Sequence, residues 1–119
     1  MVLRLEQGVV FFLLPGDLQQ HGEDRLVRDH AFISANFLKA PHHGSRTSST
    51  ELFLSAVHPQ YAVFCVGEAN PFGHPNEAIV ERYADANVRI YRTDRDGTVT
   101  AITDGDTLAV HTFAESLPH

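Results

Sequence analysis

Hydrophobic and polar residues follow patterns along this chain that predict an α/β fold. Residues 2–5 alternate, residues 6–8 can turn, and residues 9–14 (VVFFLL) are continuously apolar. This pattern predicts a β-hairpin whose second strand is buried on both faces. Residues 17–29 are mostly polar with a few apolar positions, which indicates a short surface helix, and a strand is predicted at residues 37–40.

The middle of the chain predicts a helix and a strand, repeated once. Ser48, with a glutamate three residues later, resembles a capping box, and the helix that it begins should end at Pro59. Residues 61–66 (YAVFCV) form the clearest central strand. A second helix is predicted to start at residues 74–77, and a short strand follows at residues 88–91.

The C-terminal part of the chain has the pattern of a β-meander. Asp-Gly pairs at residues 96–97 and 104–105 are typical of hairpin turns and bound predicted strands at residues 98–102 and 107–113. The expected fold is therefore α/β, with a mixed sheet, three helices and a C-terminal β-meander, in one domain over residues 1–119. The predicted sheet core contains Val10, Phe12, Leu14, Leu38, Val63 and Cys65, covered on one face by Leu52, Phe53, Ala56, Ile79, Val80 and Tyr83.

Composition narrows the possible functions. The 119 residues are 43% hydrophobic, which is enough for one core. The formal net charge of −6 and the scattered Lys and Arg residues give no basic face for nucleic-acid phosphates, although bound divalent metals could reverse the local sign. The single cysteine, Cys65, cannot form an intrachain disulfide, and no apolar run reaches the ~18 residues of a membrane helix. Eight histidines in so short a chain justify a search for a metal site.

Candidate chemistry lies where two predicted strands end. One strand runs into Asp17, and the other runs into His42 and His43 within the sequence PHHGS (residues 41–45). Strand ends of an open α/β sheet meet at one edge, so these side chains are expected to lie together. A carboxylate can bridge two divalent metals, and an imidazole is a common zinc ligand. Two alternatives stay open, because Asp17 is also typical of a turn or helix cap, and both histidines could belong to a surface loop.

Further polar residues surround these strand ends. Ser45 and Ser48 offer hydroxyl groups to a substrate, although Ser48 also fits a helix cap. Lys39 is either a solvated strand charge or a cation near a substrate phosphate. Asn70 and His74 lie in the loop before the next helix and are candidates for substrate contact, and His74 is also a candidate helix cap.

The order of the motifs resembles a known family. The matching segments are LLPGD (residues 13–17), LKAPHHGS (38–45), NPFGHP (70–75), YRTD (91–94) and DGT (96–98). Together they resemble the C-terminal half of the metallo-β-lactamase-like domain of ComEC, the DNA-internalisation protein of natural competence, and of related stand-alone hydrolases. The resemblance covers nearly the whole chain and implies the second half of an αββα sandwich.

The resemblance also implies roles for individual residues. Asp17 matches the bridging metal aspartate, and His43, in preference to His42, matches the late metal-ligand histidine. Two Zn²⁺ or Mn²⁺ ions would lower the pKa of a bridging water toward ~7 for hydrolysis of a phosphodiester such as DNA. His42 or His74 would then contact the scissile group. The implied setting is bacterial, membrane-associated and extracytoplasmic for a ComEC protein and cytoplasmic otherwise, with this chain itself soluble.

One departure from the family pattern changes the expectation for this chain. Family members carry a His-x-His-x-Asp-His cluster in the first half of the domain, and this sequence contains none. The chain is therefore expected to be a partial domain that binds metal weakly or not at all and has little activity by itself. Expected partners are the missing N-terminal half, a second copy covering the exposed sheet, and DNA or another phosphodiester. The alternatives are a non-catalytic remnant and half of a small-molecule esterase or lactonase, which the acidic charge mildly favours over DNA.

Overall fold

The structure is a computed structural model that describes residues 2–29, 32–67 and 75–116. Within these ranges, five strands form one sheet in the order β1-β2-β3-β4-β5, and β6 and β7 form a second. The strands are β1 (Leu3–Gln7), β2 (Val10–Leu14), β3 (Phe37–Lys39), β4 (Tyr61–Phe64), β5 (Arg89–Arg92), β6 (Val99–Thr103) and β7 (Leu108–Thr112). The helices are α1 (Gln20–Arg28), α2 (Glu51–Val57), α3 (Glu77–Asp85) and the one-turn α4 (Thr93–Asp96) and α5 (Phe113–Ser116).

The larger sheet is mixed. β1 pairs antiparallel with β2, whereas β2, β3, β4 and β5 run parallel to one another. Helices α1, α2 and α3 each lie in one of the three connections between parallel strands, as such connections generally require. The α/β class, the mixed sheet and the antiparallel strands at the C-terminal end are therefore confirmed.

The larger sheet separates two layers of core because successive strand residues point to opposite faces. One face packs against the helices through Leu13, Leu38, Ala62, Phe64, Phe53, Leu54, Val57, Ile79 and Tyr83. The other face packs against the β6–β7 hairpin through Phe37, Val63, Tyr91, Val99, Ala101, Leu108 and Val110. The described chain is thus a helical layer, a five-stranded sheet and a two-stranded sheet, stacked in that order.

The tips of the two hairpins touch each other. The backbone N–H of Val9 donates to the carbonyl oxygen of Gly105 at 2.7 Å. Gly8 has a φ of 58°, and a Cβ atom on it would collide with the Gly105 carbonyl. Glycine is therefore required at Gly8 for the two sheets to meet at this end.

The start of α2 differs from the prediction. The helix is capped by Thr50, whose hydroxyl accepts from the Phe53 N–H at 3.1 Å, and not by Ser48. Leu52 lies on the outer face of this helix, with 57% of its surface exposed, and Leu54 packs in the core instead. The capping-box prediction was wrong because Thr50 offers a competing hydroxyl two residues after Ser48. The Ser48 hydroxyl instead donates to the carbonyls of Pro41 and Ser45.

Two further details of the prediction were wrong or only partly right. Residues 96–97 do not form a hairpin turn, because β5 and β6 belong to different sheets. They are joined by α4, which is followed by Gly97 with a φ of 71°. The turn at residues 104–105 does join β6 to β7. Among the predicted sheet residues, Val10, Leu38 and Val63 are buried, whereas Phe12, Leu14 and Cys65 are only partly buried.

Candidate metal centre

The two strand ends singled out in the sequence lie side by side. β2 and β3 are parallel neighbours, with Leu13 opposite Leu38, so both chains leave the sheet at the same edge. The backbone N–H of His42 donates to the carbonyl oxygen of Gly16 at 2.9 Å, which joins the two loops directly. The predicted proximity of Asp17 to the histidine pair is therefore confirmed.

The turn Pro41–Gly44 has an unusual backbone. His42, His43 and Gly44 all have positive φ angles, of 50°, 55° and 79°. The turn is held by the Ser45 N–H, which donates to the His42 carbonyl at 3.0 Å, and by the Asn76 N–H, which donates to the Gly44 carbonyl at 2.9 Å. These bonds fix the direction in which the two imidazole rings leave the chain.

The ring of His43 is oriented by the main chain of the next strand end. His43 Nδ1 lies 2.8 Å from the carbonyl oxygen of Cys65, and His43 Nε2 lies 4.0 Å from Asp17 Oδ1. Because a carbonyl oxygen can only accept, Nδ1 must carry the hydrogen, and the lone pair of the neutral ring is on Nε2. Histidines that bind metals usually donate their other ring N–H in this way.

The Asp17–His43 pair fits part of a metal site. Two ligand atoms about 2.1 Å from a shared tetrahedral zinc ion lie about 3.4 Å apart, so a small rotation of the exposed Asp17 carboxylate would complete the geometry. A tetrahedral ion needs four ligands, and the described part of the chain contains no group of three or more His, Cys, Asp or Glu residues that could hold one. The ligands that Asp17 and His43 do not supply would have to come from other residues.

A second support comes from the end of β5. The Val66 N–H donates to the Thr93 hydroxyl at 2.8 Å, and that hydroxyl donates to the Val66 carbonyl at 2.8 Å. These bonds hold the segment that presents the Cys65 carbonyl to His43. Next to Thr93, Arg92 donates two hydrogen bonds to Asp94, at 3.0 and 2.7 Å, which lowers the pKa of the Asp94 carboxyl below its ordinary value.

The predicted substrate residues occupy different surroundings. Ser45 and Ser48 are buried, and the Ser48 hydroxyl lies 3.0 Å from the Pro41 carbonyl and 2.9 Å from the Ser45 carbonyl, to which it donates. Both serines thus hold the loop in this structure, and a substrate contact by either stays a prediction. Lys39 is partly buried in β3. Burial raises the pKa of the nearby Cys65 thiol, and the charge of Lys39 opposes this shift. Asn70 and His74 lie outside the described residues.

Sequence patterns did not reveal a buried polar cluster behind the site. The Glu23 carboxylate accepts from the backbone N–H groups of Ser49 and Thr50, at 2.5 and 2.7 Å. The hydroxyl of Ser49 lies 2.6 Å from that of Tyr83, and Arg82 donates to the Ser49 carbonyl at 2.7 Å. Burial raises the pKa of Glu23 above its ordinary value, although the backbone donors oppose the shift, and burial raises that of Tyr83 as well. No motif marks Glu23, since it lies in a polar helix.

Sequence comparisons relate the chain to bacterial competence proteins. No family model matches the sequence. Competence protein ComA of Neisseria gonorrhoeae is 41% identical over 97 residues, which is 81% of this chain, and ComE operon protein 3 of Bacillus subtilis is 33% identical over 99 residues, or 83% of the chain. Recombination protein 2 of Haemophilus influenzae is 35% identical over 68% of the chain. The chain is thus related to a segment of ComEC-like competence proteins, as its motifs predict.

The relatives are much longer than this chain. The matched segment spans 14% of ComA, 13% of ComE operon protein 3 and 10% of Recombination protein 2. Within the ranges that the structure describes, no helix combines the length and the apolar content needed to cross a membrane.

Proposed function

We propose that this chain is the C-terminal half of a metal-dependent hydrolase domain of the metallo-β-lactamase superfamily, and that its parent cleaves a phosphodiester such as DNA during DNA uptake. The observation that carries the proposal is the His43 ring, held between the Cys65 carbonyl and Asp17 at the end of two parallel strands. The names of the related competence proteins support the setting of DNA uptake.

The layer arrangement supports the half-domain part of the proposal. One helical layer, a five-stranded sheet and a two-stranded sheet are stacked, which leaves the outer face of the β6–β7 hairpin without a second helical layer among the described residues. An αββα sandwich needs that second layer and a wider second sheet. A half-domain that carries the His-x-His-x-Asp-His cluster would supply both the missing layer and the missing ligands.

The chain's own residues would prepare the site for two divalent ions. The Cys65 carbonyl holds His43 Nδ1–H, so Nε2 keeps the lone pair that a metal requires. The exposed Asp17 carboxylate, with Oδ1 4.0 Å from His43 Nε2, would hold an ion together with that nitrogen. When bound, such ions lower the pKa of a water molecule and stabilise negative charge on the scissile group.

The test is reconstitution with the missing half. We expect the 119-residue chain alone to hydrolyse bis-p-nitrophenyl phosphate at near-background rates with Zn²⁺ or Mn²⁺, and a half-domain with the His-x-His-x-Asp-His cluster to restore turnover. Loss of a residue that only supports a metal ligand lowers metal affinity or activity about 10- to 100-fold. Loss of a ligand itself, in Asp17→Ala or His43→Ala, should therefore lower the turnover rate at least about 100-fold. His58→Ala, at an exposed histidine beyond α2, is the matched control and should retain activity.

Four outcomes would overturn parts of the proposal. Strong metal-dependent turnover by the chain alone would refute the half-domain assignment. Full activity of Asp17→Ala in the reconstituted domain would refute the site. Cleavage of a carboxylic ester or lactone without cleavage of a phosphodiester would replace the nuclease-like assignment by an esterase or lactonase, whereas a reconstituted domain that binds no metal would indicate a non-catalytic remnant.

A further inference from the structure

The buried carboxylate of Glu23 needs an explanation that the proposed metal site does not give. Among the described residues, Glu23 is the one charged residue that is fully buried, although it lies in the polar helix α1. Burial of a charge is unfavourable unless hydrogen bonds or a partner charge compensate for it. Here the compensation comes from two backbone N–H donors, those of Ser49 and Thr50, at the start of α2.

These two bonds connect the two chain segments that carry the candidate site. Glu23 lies in the first turns of α1, the helix that follows Asp17, whereas Ser49 lies in the loop that follows His43. A second bond joins the same segments, because the Gln20 N–H donates to the Thr47 carbonyl at 2.9 Å. The α1 segment and the loop are therefore attached to each other independently of the sheet.

The loop of residues 45–50 is hydrogen-bonded to the turn Pro41–Gly44, which carries the two histidines. The Ser48 hydroxyl donates to the carbonyls of Pro41 and Ser45, which lie on either side of the histidine pair. Arg82 and Tyr83 of α3 fix Ser49 from the other side. A shift at Ser49 would consequently move the turn that carries His43, a turn whose backbone is already in a rare conformation.

We propose that Glu23 is a positioning residue, whose buried carboxylate fixes the Asp17 segment against the His43 turn and so sets the spacing of the two metal-binding side chains. This inference rests on the metal site proposed above. A role confined to stability predicts that loss of the carboxylate lowers the melting temperature and leaves His43 unchanged in the folded protein. A positioning role predicts a change at His43 well below the melting temperature.

The main variant is Glu23→Gln, which keeps the shape but removes the charge and turns an NH₂ group toward one of the two backbone donors. The second variant is Gln20→Pro, which removes the N–H that binds Thr47. Proline is tolerated there because Gln20 is the first helical residue and Gln19 before it is extended, with a ψ of 179°. The control is Val10→Ala, which removes buried apolar atoms at the start of β2, at the opposite end of that strand from Asp17, and leaves every contact of Glu23 and Ser49 in place.

Each variant is studied as the full 119-residue chain by ¹⁵N NMR of the histidine rings at one fixed pH, followed by titration with Zn²⁺ alone. We expect Glu23→Gln to reduce the fraction of His43 with hydrogen on Nδ1 and to raise the Kd for Zn²⁺ at least about tenfold, as loss of a supporting residue does in metal sites. Gln20→Pro should act in the same direction and less strongly. Val10→Ala should lower the melting temperature and leave both readouts within about twofold, since it breaks no bond to the loop or to the His43 turn.

The two proposals fail in different ways. An unchanged His43 tautomer and an unchanged Kd for Zn²⁺ in Glu23→Gln would overturn the positioning role. If Glu23→Gln does not fold, the same two unchanged readouts in Gln20→Pro would overturn it. If Zn²⁺ leaves His43 of the wild-type chain and of the reconstituted domain unaffected, the metal site is wrong. A tautomer change in Glu23→Gln would then still support positioning of the His43 ring.

Discussion

His42 and His43 both have left-handed backbone angles, which residues with a side chain seldom adopt in succession. A residue in this region costs of order 1–3 kcal/mol, and such residues persist where the surrounding structure holds them. Hydrogen bonds from Ser45 and Asn76 hold this turn, and the Ser48 hydroxyl holds its first carbonyl. The strain is therefore stored where the His43 ring meets Cys65 and Asp17.

Gly44 allows this turn to pack against its neighbours, which leads to a prediction. Its φ is 79°, and a Cβ atom would lie 2.6 Å from the Phe64 ring and 2.7 Å from Pro75. We expect Gly44→Ala to lower the free energy of unfolding in urea by about 2–4 kcal/mol, through backbone strain and overpacking. Gly67→Ala is the control, because a Cβ atom added there would lie more than 4 Å from the other described side chains and backbone it could meet, and it should change stability by less than about 1 kcal/mol. Equal effects of the two substitutions would contradict this account of the turn.

The sequence predicts some residues of the site well and misses others. Asp17 and His43 could be found because each lies within four residues of the end of a hydrophobic strand, and parallel strands end at the same edge of a sheet. Ser48 was assigned to the wrong role because Thr50 offers a competing cap two residues later. Glu23 could not be found, since its burial depends on the approach of Ser49 from a distant part of the chain.

At the scale of secondary structure, hydrophobic patterns identify the strands and helices but not which sheet each strand joins. The apolar run at residues 9–14 and the strand at residues 61–66 were correct as elements, with ends shifted by one or two residues. The Asp-Gly pair at residues 96–97 has the sequence of a hairpin turn, yet α4 redirects the chain across the face of the sheet. That crossing depends on packing between sheets, which a local pattern does not contain.

β4 is an interior strand of the larger sheet, paired with β3 and β5, and one of its faces packs against the β6–β7 hairpin. Val63 is 6% exposed and packs with Phe37 and Tyr91. Val63→Asp would bury an unpaired charge between the two sheets, so we expect a loss of several kcal/mol, on the order of 3–5, and a much lower melting temperature. Ile102→Asp, on the exposed side of β6, is the control and should cause a small change. An unchanged melting temperature in Val63→Asp would show that Val63 is not buried between the two sheets.

At the scale of the whole molecule, the Arg92–Asp94 pair lies at the crossing between the two sheets, so its charge state should affect global stability. The hydrogen bonds from Arg92 lower the pKa of Asp94 in the folded state. The carboxylate therefore stabilises the fold at pH values above the unfolded pKa of about 3.9. This contribution is lost as the pH falls through the lower pKa of the folded state. We expect Asp94→Asn to reduce the free energy of unfolding by about 1–3 kcal/mol above pH 5, with the difference from wild type shrinking below pH 4.

Urea denaturation between pH 2 and 7 measures this difference, and groups that titrate equally in both proteins cancel. Asp85→Asn, at an exposed carboxylate of α3, serves as the control for adding an amide. A difference that stays constant down to pH 2 would contradict the role of the Asp94 charge.

One edge of the molecule remains exposed in the described chain. β1 is the outermost strand of the larger sheet, and its Leu3 and Leu5 side chains are 43% and 47% exposed. An open edge with apolar side chains favours pairing with another chain. Pairing with the missing half-domain or with a second copy, expected from the sequence, stays a prediction.

The contact between Val9 and Gly105 has a consequence for how the protein forms in time. The bond joins residues separated by most of the chain, and the loop that it closes must lose more entropy than any local turn. Chains rich in such distant contacts fold slowly compared with chains of local contacts. During synthesis the first hairpin emerges from the ribosome long before its partner, so the two sheets can be joined only when translation of residue 105 is complete.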